Sequence, residues 1–347
     1  MEQEKQHKRR VRYKGTHPRK FEEKYKELNP QKYQGDVEKI IQSGKTPAGM
    51  HISIMVKEIL DFLQIKPGQI GLDATLGYGG HTRKMMEQLQ GKGHMYATDV
   101  DPIESEKTRQ RLADLGFGPE ILTIKRMNFA NIDQVAPEEK FDFILADLGV
   151  SSMQIDNPER GFTFKQDGPL DLRLDPTSGV SAAQRLRELD REELEAMLVE
   201  NSDEPYADKI AKEVIKVFKK RGKIETTKQL AAVIEQALSF LPEKERKEEV
   251  KKSCQRTFQA LRIDVNSEFE VLYSFLEKLP HVLKSGGRVA VLTFHSGEDR
   301  LVKKAFRQHQ RDGVYSEVCE DVIRPSAEEC FQNPRARSTK MRWAIKA

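Results

Sequence analysis

The chain contains 347 residues, of which 37% are hydrophobic and 33% are charged, and at about 150 residues per domain this length predicts two units with enough apolar mass for a core. No uncharged apolar stretch approaches the ~20 residues of a membrane helix, and the first residues lack the apolar segment of a secretory signal. Three cysteines without a C-x-x-C pair exclude a disulfide framework and a cysteine zinc knuckle, so we expect a cytoplasmic protein with no membrane partner.

Positive charge is concentrated at the start of the chain. Residues 1–47 hold 13 Lys or Arg against 7 Asp or Glu, a charge of +6, so the rest of the chain carries −2 of the net +4. Apolar residues are sparse and aperiodic up to Val37, which predicts a flexible or partly helical basic extension. Two interpretations stay open: a solvated tail, or a sequence-independent contact with nucleic-acid phosphates whose strength depends on salt.

Strands and helices alternate in the first half of the remaining chain. Apolar residues at helical spacing occupy 54–63 and end before Pro67-Gly68. Buried or half-buried strands are predicted at 69–74, 94–99, 121–126 and 141–147, with helices at 82–89 and 102–115. This alternation predicts right-handed βαβ units and therefore an α/β fold with a doubly wound, mostly parallel sheet.

The alternation stops after Asp147. Residues 151–180 read as loop, and helices are predicted at 182–200, 206–221, 227–240 and 255–283. A turn at 284–287 then leads into a further buried strand at 288–294. We therefore predict a core built from 48–150 and 260–347, with an inserted all-helical domain at 151–259.

A glycine-rich turn follows the first predicted strand. Gly77, Gly79 and Gly80 allow a backbone to pass close to a ligand, and Asp99 ends the second strand, where an acid accepts the hydroxyls of a nucleoside ribose. The alternative is a tight turn that binds no ligand. Thr82 replaces the last glycine of a dinucleotide motif, and no Gly-Lys-Ser/Thr follows, which disfavours NAD and excludes a P-loop. Asp73 would repel a pyrophosphate but suits a cation, which favours S-adenosylmethionine.

The end of the fourth strand carries a second polar group. Asp147 leaves a buried strand and is followed by the hydroxyls of Ser151 and Ser152, at the edge where ligands bind in this class of fold. A ligand-facing role and a loop-capping role are the two interpretations of Asp147. His295 follows the fifth strand at the same edge, and it is either functional or ordinary polar surface.

Seven motifs in order, from about His51 to the C-terminus, resemble the RsmH (MraW) family of small-subunit rRNA methyltransferases. They are Gly77–His81, Asp147–Ser152, Glu159–Phe164, Asp167–Asp175, Arg256–Arg262, Phe294–Ser296 with Glu298–Arg300, and Asn333–Ser338. Two departures are the basic extension, which has no counterpart in a typical member, and Gly297, where leucine is usual.

The resemblance implies a class I (Rossmann-like) methyltransferase core with a helical insert. It implies transfer of a methyl group from S-adenosylmethionine to the exocyclic N4 of a cytosine in the decoding centre of small-subunit ribosomal RNA. The cofactor contacts that it implies are Gly79, Gly80, His81, Asp99, Phe129, Asp147 and Gln154.

Methylation of cytosine N4 requires alignment more than activation, because the nitrogen lone pair is delocalised into the ring. We expect Asp147, with the carbonyls of Leu148 and Gly149, to accept an N4 proton, although Asp147 could instead bind the amino acid group of the donor. The transfer requires no metal, and the sequence contains no HExxH motif or clustered carboxylate–histidine set.

A base within folded RNA must be extruded before it can react. Phe162 and Phe164 are candidates for stacking on that base, although they could equally anchor their loop to the insert. The full set of candidate substrate contacts is Ser151, Ser152, Arg160, Phe162, Phe164, Arg173, Arg256, Arg262, His295 and Ser296. The expected partner is small-subunit ribosomal RNA or the ribosomal subunit.

Three other functions remain as alternatives. A DNA amino-methyltransferase would show two prolines after the fourth strand, and Asp147-Leu-Gly-Val lacks both. A paralogue could methylate another RNA base, and an inactive relative could serve as an RNA-binding or assembly factor, although the intact glycine turn disfavours the latter. The sequence makes no prediction about oligomeric state.

Overall fold

A computed structural model describes residues 53–347, and the predicted extension 1–47 lies outside the described residues. The described chain contains a seven-stranded sheet. Its strands are β1 (Ile70–Asp73), β2 (His94–Asp99), β3 (Leu122–Arg126), β4 (Phe141–Asp147), β5 (Leu283–Thr293), β6 (Tyr315–Val318) and β7 (Lys340–Lys346). The strand limits predicted for β2 and β4 match these, and the others differ by a few residues.

The strand order is β3-β2-β1-β4-β5-β7-β6. Strands β1 to β5 are parallel, whereas β7 runs antiparallel to β5 and to β6. The chain starts in the middle with β1, winds outward to β3, and returns to β4 beside β1. This arrangement confirms the predicted α/β, class I methyltransferase-like fold, and it opens a crevice at the carboxyl ends of β1 and β4.

Twelve helices connect or flank these strands in the part of the chain that the structure describes. They are α1 (Val56–Leu63), α2 (Gly80–Leu89), α3 (Pro102–Asp114), α4 (Ser152–Asp156), α5 (Ala182–Glu188), α6 (Arg191–Ser202), α7 (Ala207–Arg221), α8 (Thr227–Ala237), α9 (Glu243–Asn266), α10 (Glu268–Val282), α11 (Ser296–Arg311) and α12 (Ala327–Gln332). Short 3-10 turns occur at Phe129–Gln134, Pro158–Arg160 and Pro334–Ser338. None of the helices within 53–347 combines the length and apolarity needed to cross a bilayer.

The central strands are buried on both faces where they are apolar, from Phe143 to Ala146 in β4 and from Val289 to Leu292 in β5. In β4, Ile144 and Ala146 join the apolar cluster that includes residues of α10 and α11, whereas Phe143 and Leu145 join the cluster that includes residues of α1 and α2. Successive side chains of a strand point to opposite faces, so one uninterrupted apolar run fills two layers. Polar residues therefore appear where the strands end, at the edge of the crevice.

Helices α5 to α9 form a third apolar cluster that is separate from the sheet, with Leu198, Ile210 and Ile234 fully buried in it. Capping boxes at Ser181, Asp190 and Thr226 start three of these helices, since each side chain accepts from a backbone N–H at the third helical residue. Helix α9 runs without a break through the predicted insert boundary at residue 260.

Two predicted helices are wrong in their limits. The segment 255–283 is two helices, because Ser267 adopts a left-handed conformation (φ 48°) that ends α9 and starts α10. Helix α9 also begins twelve residues earlier than predicted, directly after Pro242, so the charged run 243–252 is its exposed first half. The predicted helix 182–200 divides where Asp190 caps a new helix.

Candidate active site

The glycine turn between β1 and α2 is held against the end of β2. The Gly77 N–H donates to Asp99 Oδ2 (2.7 Å), and Thr108 Oγ1 donates to the Gly77 carbonyl (2.6 Å). Gly79 has a left-handed φ of 81°, and a Cβ there would lie 2.7 Å from Thr108 Cγ2. Glycine is therefore required at residue 79 both by backbone conformation and by close packing against α3.

Asp99 lies at the carboxyl end of β2 and accepts two backbone N–H groups. One comes from Gly77 and the other from Asp101, whose N–H donates to Oδ1 (2.8 Å). Burial raises the pKa of Asp99 to about 6, and the two N–H bonds limit the rise. The group is therefore ionised at neutral pH, and each oxygen keeps a second lone pair that can accept a ligand hydroxyl.

Asp73, at the end of β1, is satisfied by protein groups. Thr82 Oγ1 donates to Oδ2 (2.7 Å) and the Thr75 N–H donates to Oδ1 (3.0 Å), with the side chain buried. Burial raises the pKa of the Asp73 carboxyl. These bonds tie β1 to the first turn of α2, so the described contacts of Asp73 explain the shape of the turn without a bound cation.

Asp147, at the end of β4, and His81, in the first turn of α2, face each other. His81 Nδ1 lies 3.4 Å from Asp147 Oδ2, and His81 Nε2 contacts the Ile54 carbonyl oxygen at 2.9 Å. The Asp147 N–H donates to Thr75 Oγ1 (2.7 Å). Asp147 Oδ1 is buried and has no hydrogen-bond partner among the described residues, so it is an unused acceptor beside the glycine turn.

Asp101 organises the loops at this end of the sheet, although the sequence does not predict it as a site residue. Its fully buried carboxylate caps α3 through Oδ1, while Oδ2 accepts from Gln154 Nε2 (2.9 Å) and Arg160 Nη1 (2.6 Å). The dipeptide Asp101-Pro102 could have identified Asp101 as a helix N-cap in the sequence, because proline is favoured at the first helical position. The side chains of Gln154 and Arg160 are thus engaged with Asp101.

The polar residues after β4 form the start of α4. Ser151 Oγ accepts from the Gln154 N–H (3.2 Å), and the Ser151 N–H donates to Gln154 Oε1 (2.9 Å). Ser152 is the first helical residue and is half-buried. The structure brings these three residues to the crevice edge and gives Ser151 and Gln154 a capping function there.

The predicted aromatic contacts are packed against apolar clusters. Phe129 follows β3 and meets Phe275 of α10 edge-on, with ring centroids 5.2 Å apart. Phe162 and Phe164 are half-buried against the helical insert, and the Phe164 ring lies 5.5 Å from that of Phe258. The structure therefore gives both insert-facing rings the anchoring contact.

The arginines that the sequence predicts to contact RNA are paired with carboxylates of the protein. Arg173 binds Asp171 through Nε and Nη2, and Arg256 Nε lies 3.6 Å from the buried Glu204. Arg160, beyond its bond to Asp101, donates to the carbonyls of Arg173 (3.2 Å) and Leu174 (2.8 Å). These contacts stabilise the loop 158–175 and the insert.

His295 and Arg262 meet at the junction of the insert and β5. Arg262 binds both oxygens of Glu268 (2.7 and 2.9 Å), and His295 Nε2 lies 3.2 Å from Glu298 Oε1. Although burial opposes it, His295 and Arg262 hold the pKa of Glu298 below its usual range. Donor atoms of Glu268, His295 and Glu298 lie within 4.8 Å of one another, so the prediction that the chain has no clustered carboxylate–histidine set is wrong. This spacing suits a cation, but the Arg262 guanidinium already supplies positive charge there.

Two neighbours of His295 complete this end of the sheet. Ser296 is exposed at the first position of α11. At Gly297 a Cβ would lie 2.6 Å from Cζ of Phe269 and 3.2 Å from His295 Nδ1. The Phe269 ring therefore fills the space that the Cβ of any larger residue at position 297 would need.

Comparison with known proteins identifies the family of the chain. The model of the MraW methylase family matches residues 48–347. The chain belongs to the MraW methylase family. Its glycine turn, its β4 end with Asp147 and its loop 158–175 are therefore features of an MraW methylase.

Close relatives span the whole chain. The protein is 69% identical to ribosomal RNA small subunit methyltransferase H 1 of Lachnoclostridium phytofermentans, over 99% of this chain and 94% of that protein. It is 68% identical to the protein of the same name from Agathobacter rectalis, over all of both chains. A relative from Thioalkalivibrio sulfidiphilus, at 38% identity, covers 87% of this chain and 98% of its own. The basic extension therefore has a counterpart in the closer relatives, whereas the family model starts at residue 48.

Among solved structures, an S-adenosylmethionine-dependent O-methyltransferase from Thermotoga maritima is similar to 90% of this MraW methylase. The match covers 71% of that chain, with 12% identity and a TM-score of 0.40. The assignment of the fold rests instead on the strand order.

The motif glycines of this MraW methylase bring distant loop segments together. A Cβ on Gly161 would collide with the Pro169 carbonyl, and a Cβ on Gly168 would collide with the Pro158 carbonyl. The C-terminal motif reaches the same region, because Arg335 Nη2 donates to Asp156 Oδ1 (2.8 Å) at the end of α4. The motifs 159–164 and 167–175 thus pack on each other, and the C-terminal motif contacts the end of α4.

Proposed function

We propose that this protein transfers a methyl group from S-adenosylmethionine to the exocyclic N4 of a cytosine in small-subunit ribosomal RNA. Membership of the MraW methylase family supports the reaction, and the names of its close relatives support the RNA substrate. The observation that carries the proposal is Asp147 Oδ1, a buried acceptor without a hydrogen-bond partner in the described chain, at the carboxyl end of β4. The reaction takes place in the cytoplasm, where ribosomal subunits are assembled.

The donor site lies along the carboxyl ends of β1, β2 and β4. S-adenosylmethionine supplies an electrophilic methyl carbon on a positively charged sulfur. Asp99 keeps free lone pairs for the ribose hydroxyls. Gly79 and Gly80 pack closely against Thr108 and Ser53, which holds the turn in the shape that presents its backbone to the ligand. Phe129 stacks against the adenine of the donor. Gln154, on α4, contacts the donor from the opposite side of the site.

Asp147 accepts a proton from N4 during the transfer. Its Oδ2 faces His81, and Oδ1 is buried without a hydrogen-bond partner among the described residues, so we assign the N4 proton to Oδ1. Placement matters more than basicity, because a nitrogen aligned at near-attack distance already gains most of the advantage. The carbonyls of Leu148 and Gly149 supply further acceptors next to it.

The insert 151–259 is the RNA-facing domain. Its loop 158–175 joins the donor site through Asp101 and Arg160, while its helices carry the exposed lysines of α7 and α9. An extruded cytosine would enter between this loop and the β5 end, where His295 and Ser296 lie. The half-buried Phe162 and Phe164 keep the loop attached to the insert.

Mapping of methylated cytosines in small-subunit rRNA by mass spectrometry tests this function. We compare cells with and without the gene, and complement the deletion with wild type, Asp147→Asn or the matched surface control Asp133→Asn, whose residue pairs with Lys278. We expect one N4-methylcytosine to depend on the protein and to be restored by wild type and Asp133→Asn only. A methyl group on another base would point to a paralogue, and failure to bind S-adenosylhomocysteine would point to an assembly factor.

A further inference from the structure

His81 contacts two parts of the chain that are distant from it in sequence, Ile54 before α1 and Asp147 at the end of β4. The residue is buried, with 7% of its surface exposed, at the first turn of α2. A carbonyl oxygen can only accept, so Nε2 carries a proton that it donates to the Ile54 carbonyl. That bond fixes the ring so that Nδ1 faces Asp147 Oδ2 at 3.4 Å.

The Ile54 carbonyl is itself held rigidly. Met55, the next residue, is fully buried in a left-handed conformation (φ 57°), and its N–H donates to Glu329 Oε1 (2.7 Å). Such a conformation at a residue other than glycine persists only where the surroundings impose it. The segment 53–55 is therefore a fixed anchor for the imidazole.

The charge of His81 follows from its neighbours. Burial lowers the pKa of His81, but the facing carboxylate of Asp147 and the Ile54 carbonyl, with a further effect of Asp73, together outweigh burial and raise the pKa to about 9. At neutral pH the ring is an imidazolium that donates from both nitrogens, to Ile54 and to Asp147.

We propose that His81 is a positioning residue, which holds Asp147 from the Ile54 anchor in the orientation that leaves Oδ1 without a protein partner, as the acceptor for the substrate amine. The inference rests on the proposed function and refines the direct cofactor contact that the family resemblance implies for this residue. His81 engages Asp147 through Oδ2 and so leaves one defined oxygen free. Loss of the ring charge would let the carboxylate rotate.

A double-mutant cycle on the single-turnover rate of methyl transfer to small-subunit rRNA tests the coupling, using the full chain. We expect His81→Gln, which retains a donor for Ile54 but not for Asp147, to slow transfer at least about tenfold. The double variant His81→Gln/Asp147→Asn should be no slower than Asp147→Asn alone, within a factor of about two. Rate losses that multiply in the double variant would overturn the proposal, because His81 would then act on a ligand directly.

NMR titration of the imidazole signals tests the pairing without any ligand. We expect His81 to titrate near pH 9 in the wild type and at least about one pH unit lower in Asp147→Asn. The imidazole signal that disappears in His81→Gln is that of His81. His94→Gln, at the amino end of β2 and away from Asp147, is the matched control. An unchanged His81 titration in Asp147→Asn would overturn the proposal. A wild type that transfers no methyl group would refute the proposed function, whereas this titration decides the pairing separately.

Discussion

The two carboxylates proposed to act at the crevice are stabilised in different ways. Asp99 is held by backbone N–H groups of Gly77 and Asp101, which are neutral donors, whereas Asp147 faces the charged ring of His81. Neutral donors leave a buried carboxylate only partly compensated, which is why the pKa of Asp99 stays at about 6. An acid in that state is a strong acceptor for ligand hydroxyls at neutral pH.

Replacing Asp99 tests its role as the ribose ligand. We expect Asp99→Ala to weaken binding of S-adenosylhomocysteine by roughly 10- to 150-fold, since hydrogen bonds to a charged partner contribute ~1.5–3 kcal/mol. Isothermal titration calorimetry measures the change, with Asp133→Ala on the surface as the control. Because Asp99 also holds Gly77, Asp99→Asn, which retains one acceptor oxygen, should lose less affinity than Asp99→Ala. Unchanged affinity in both variants would remove Asp99 from the donor site.

Donor affinity should fall in acid because Asp99 must be ionised to accept two hydroxyls. The pKa of Asp99 is raised to about 6, so the competent form dominates above this pH and is lost below it. We expect the dissociation constant for S-adenosylhomocysteine to be flat from pH 7 to 8 and to rise toward about tenfold per pH unit below pH 6. Calorimetry across this range measures it. A profile without this acid limb would mean that the ionised carboxylate is not used.

At the level of elements, the loop 158–175 is attached to the core by one buried ion pair. Arg160 and Asp101 are both largely buried, and their atoms lie 2.6 Å apart. This pairing gives Arg160 a structural role, and the substrate contact that the sequence predicts for it stays a prediction. The two roles give different variant phenotypes.

We expect Arg160→Met to lower the free energy of unfolding by about 3–5 kcal/mol, because the buried Asp101 charge loses its partner. Arg126→Met is the matched control, since Arg126 is half-exposed and pairs with Asp175, and its loss should lie within about 1 kcal/mol. Urea denaturation followed by circular dichroism measures both. Unchanged stability with weakened RNA binding would instead establish Arg160 as an RNA contact.

Gly297 and Phe269 form a second joint, between α10 and α11. A Cβ at 297 lies within 2.6 Å of the Phe269 ring, so Gly297→Ala should destabilise the protein by about 1–3 kcal/mol through overpacking. Gly118→Ala is the control, because its close neighbour is the movable end of Glu120. Thermal unfolding of Gly297→Ala, Phe269→Leu and the double variant measures the coupling. We expect the double variant to lose less stability than the sum of the losses in the two single variants. Losses that simply add would contradict the contact between Gly297 and Phe269.

The sequence predicts the sheet far better than the joints between elements. The strand Phe141–Asp147 contains the apolar run 143–146, which identifies it as a buried strand, and the glycine turn follows from its residue types. The break at Ser267 could not be predicted, because serine has no strong preference for a left-handed conformation and tertiary packing imposes it. The Asp101 pairings join residues 53 and 59 positions apart, and no local pattern encodes contacts of that range.

At the scale of the whole molecule, charge is divided between two parts of the chain. Residues 1–47 carry +6 and the remainder carries −2. The described body contributes little net attraction to RNA, and several of its predicted RNA-contacting arginines are neutralised by carboxylates. We therefore propose that long-range attraction to phosphate comes from the extension, a segment that relatives of high identity also span.

Deleting residues 1–47 should reduce affinity for small-subunit rRNA while sparing the donor site. Each phosphate contact that is lost should flatten the plot of log affinity against log salt by about 0.7 on single strands, because fewer counterions are released. Filter binding across a salt series measures this slope, and calorimetry with S-adenosylhomocysteine checks that donor affinity is unchanged. A full-length control with the 13 Lys and Arg of the segment replaced by Gln separates charge from length, and we expect it to match the deletion. If neither protein shows a flatter slope, the extension is a solvated tail, and RNA attraction must come from the described body.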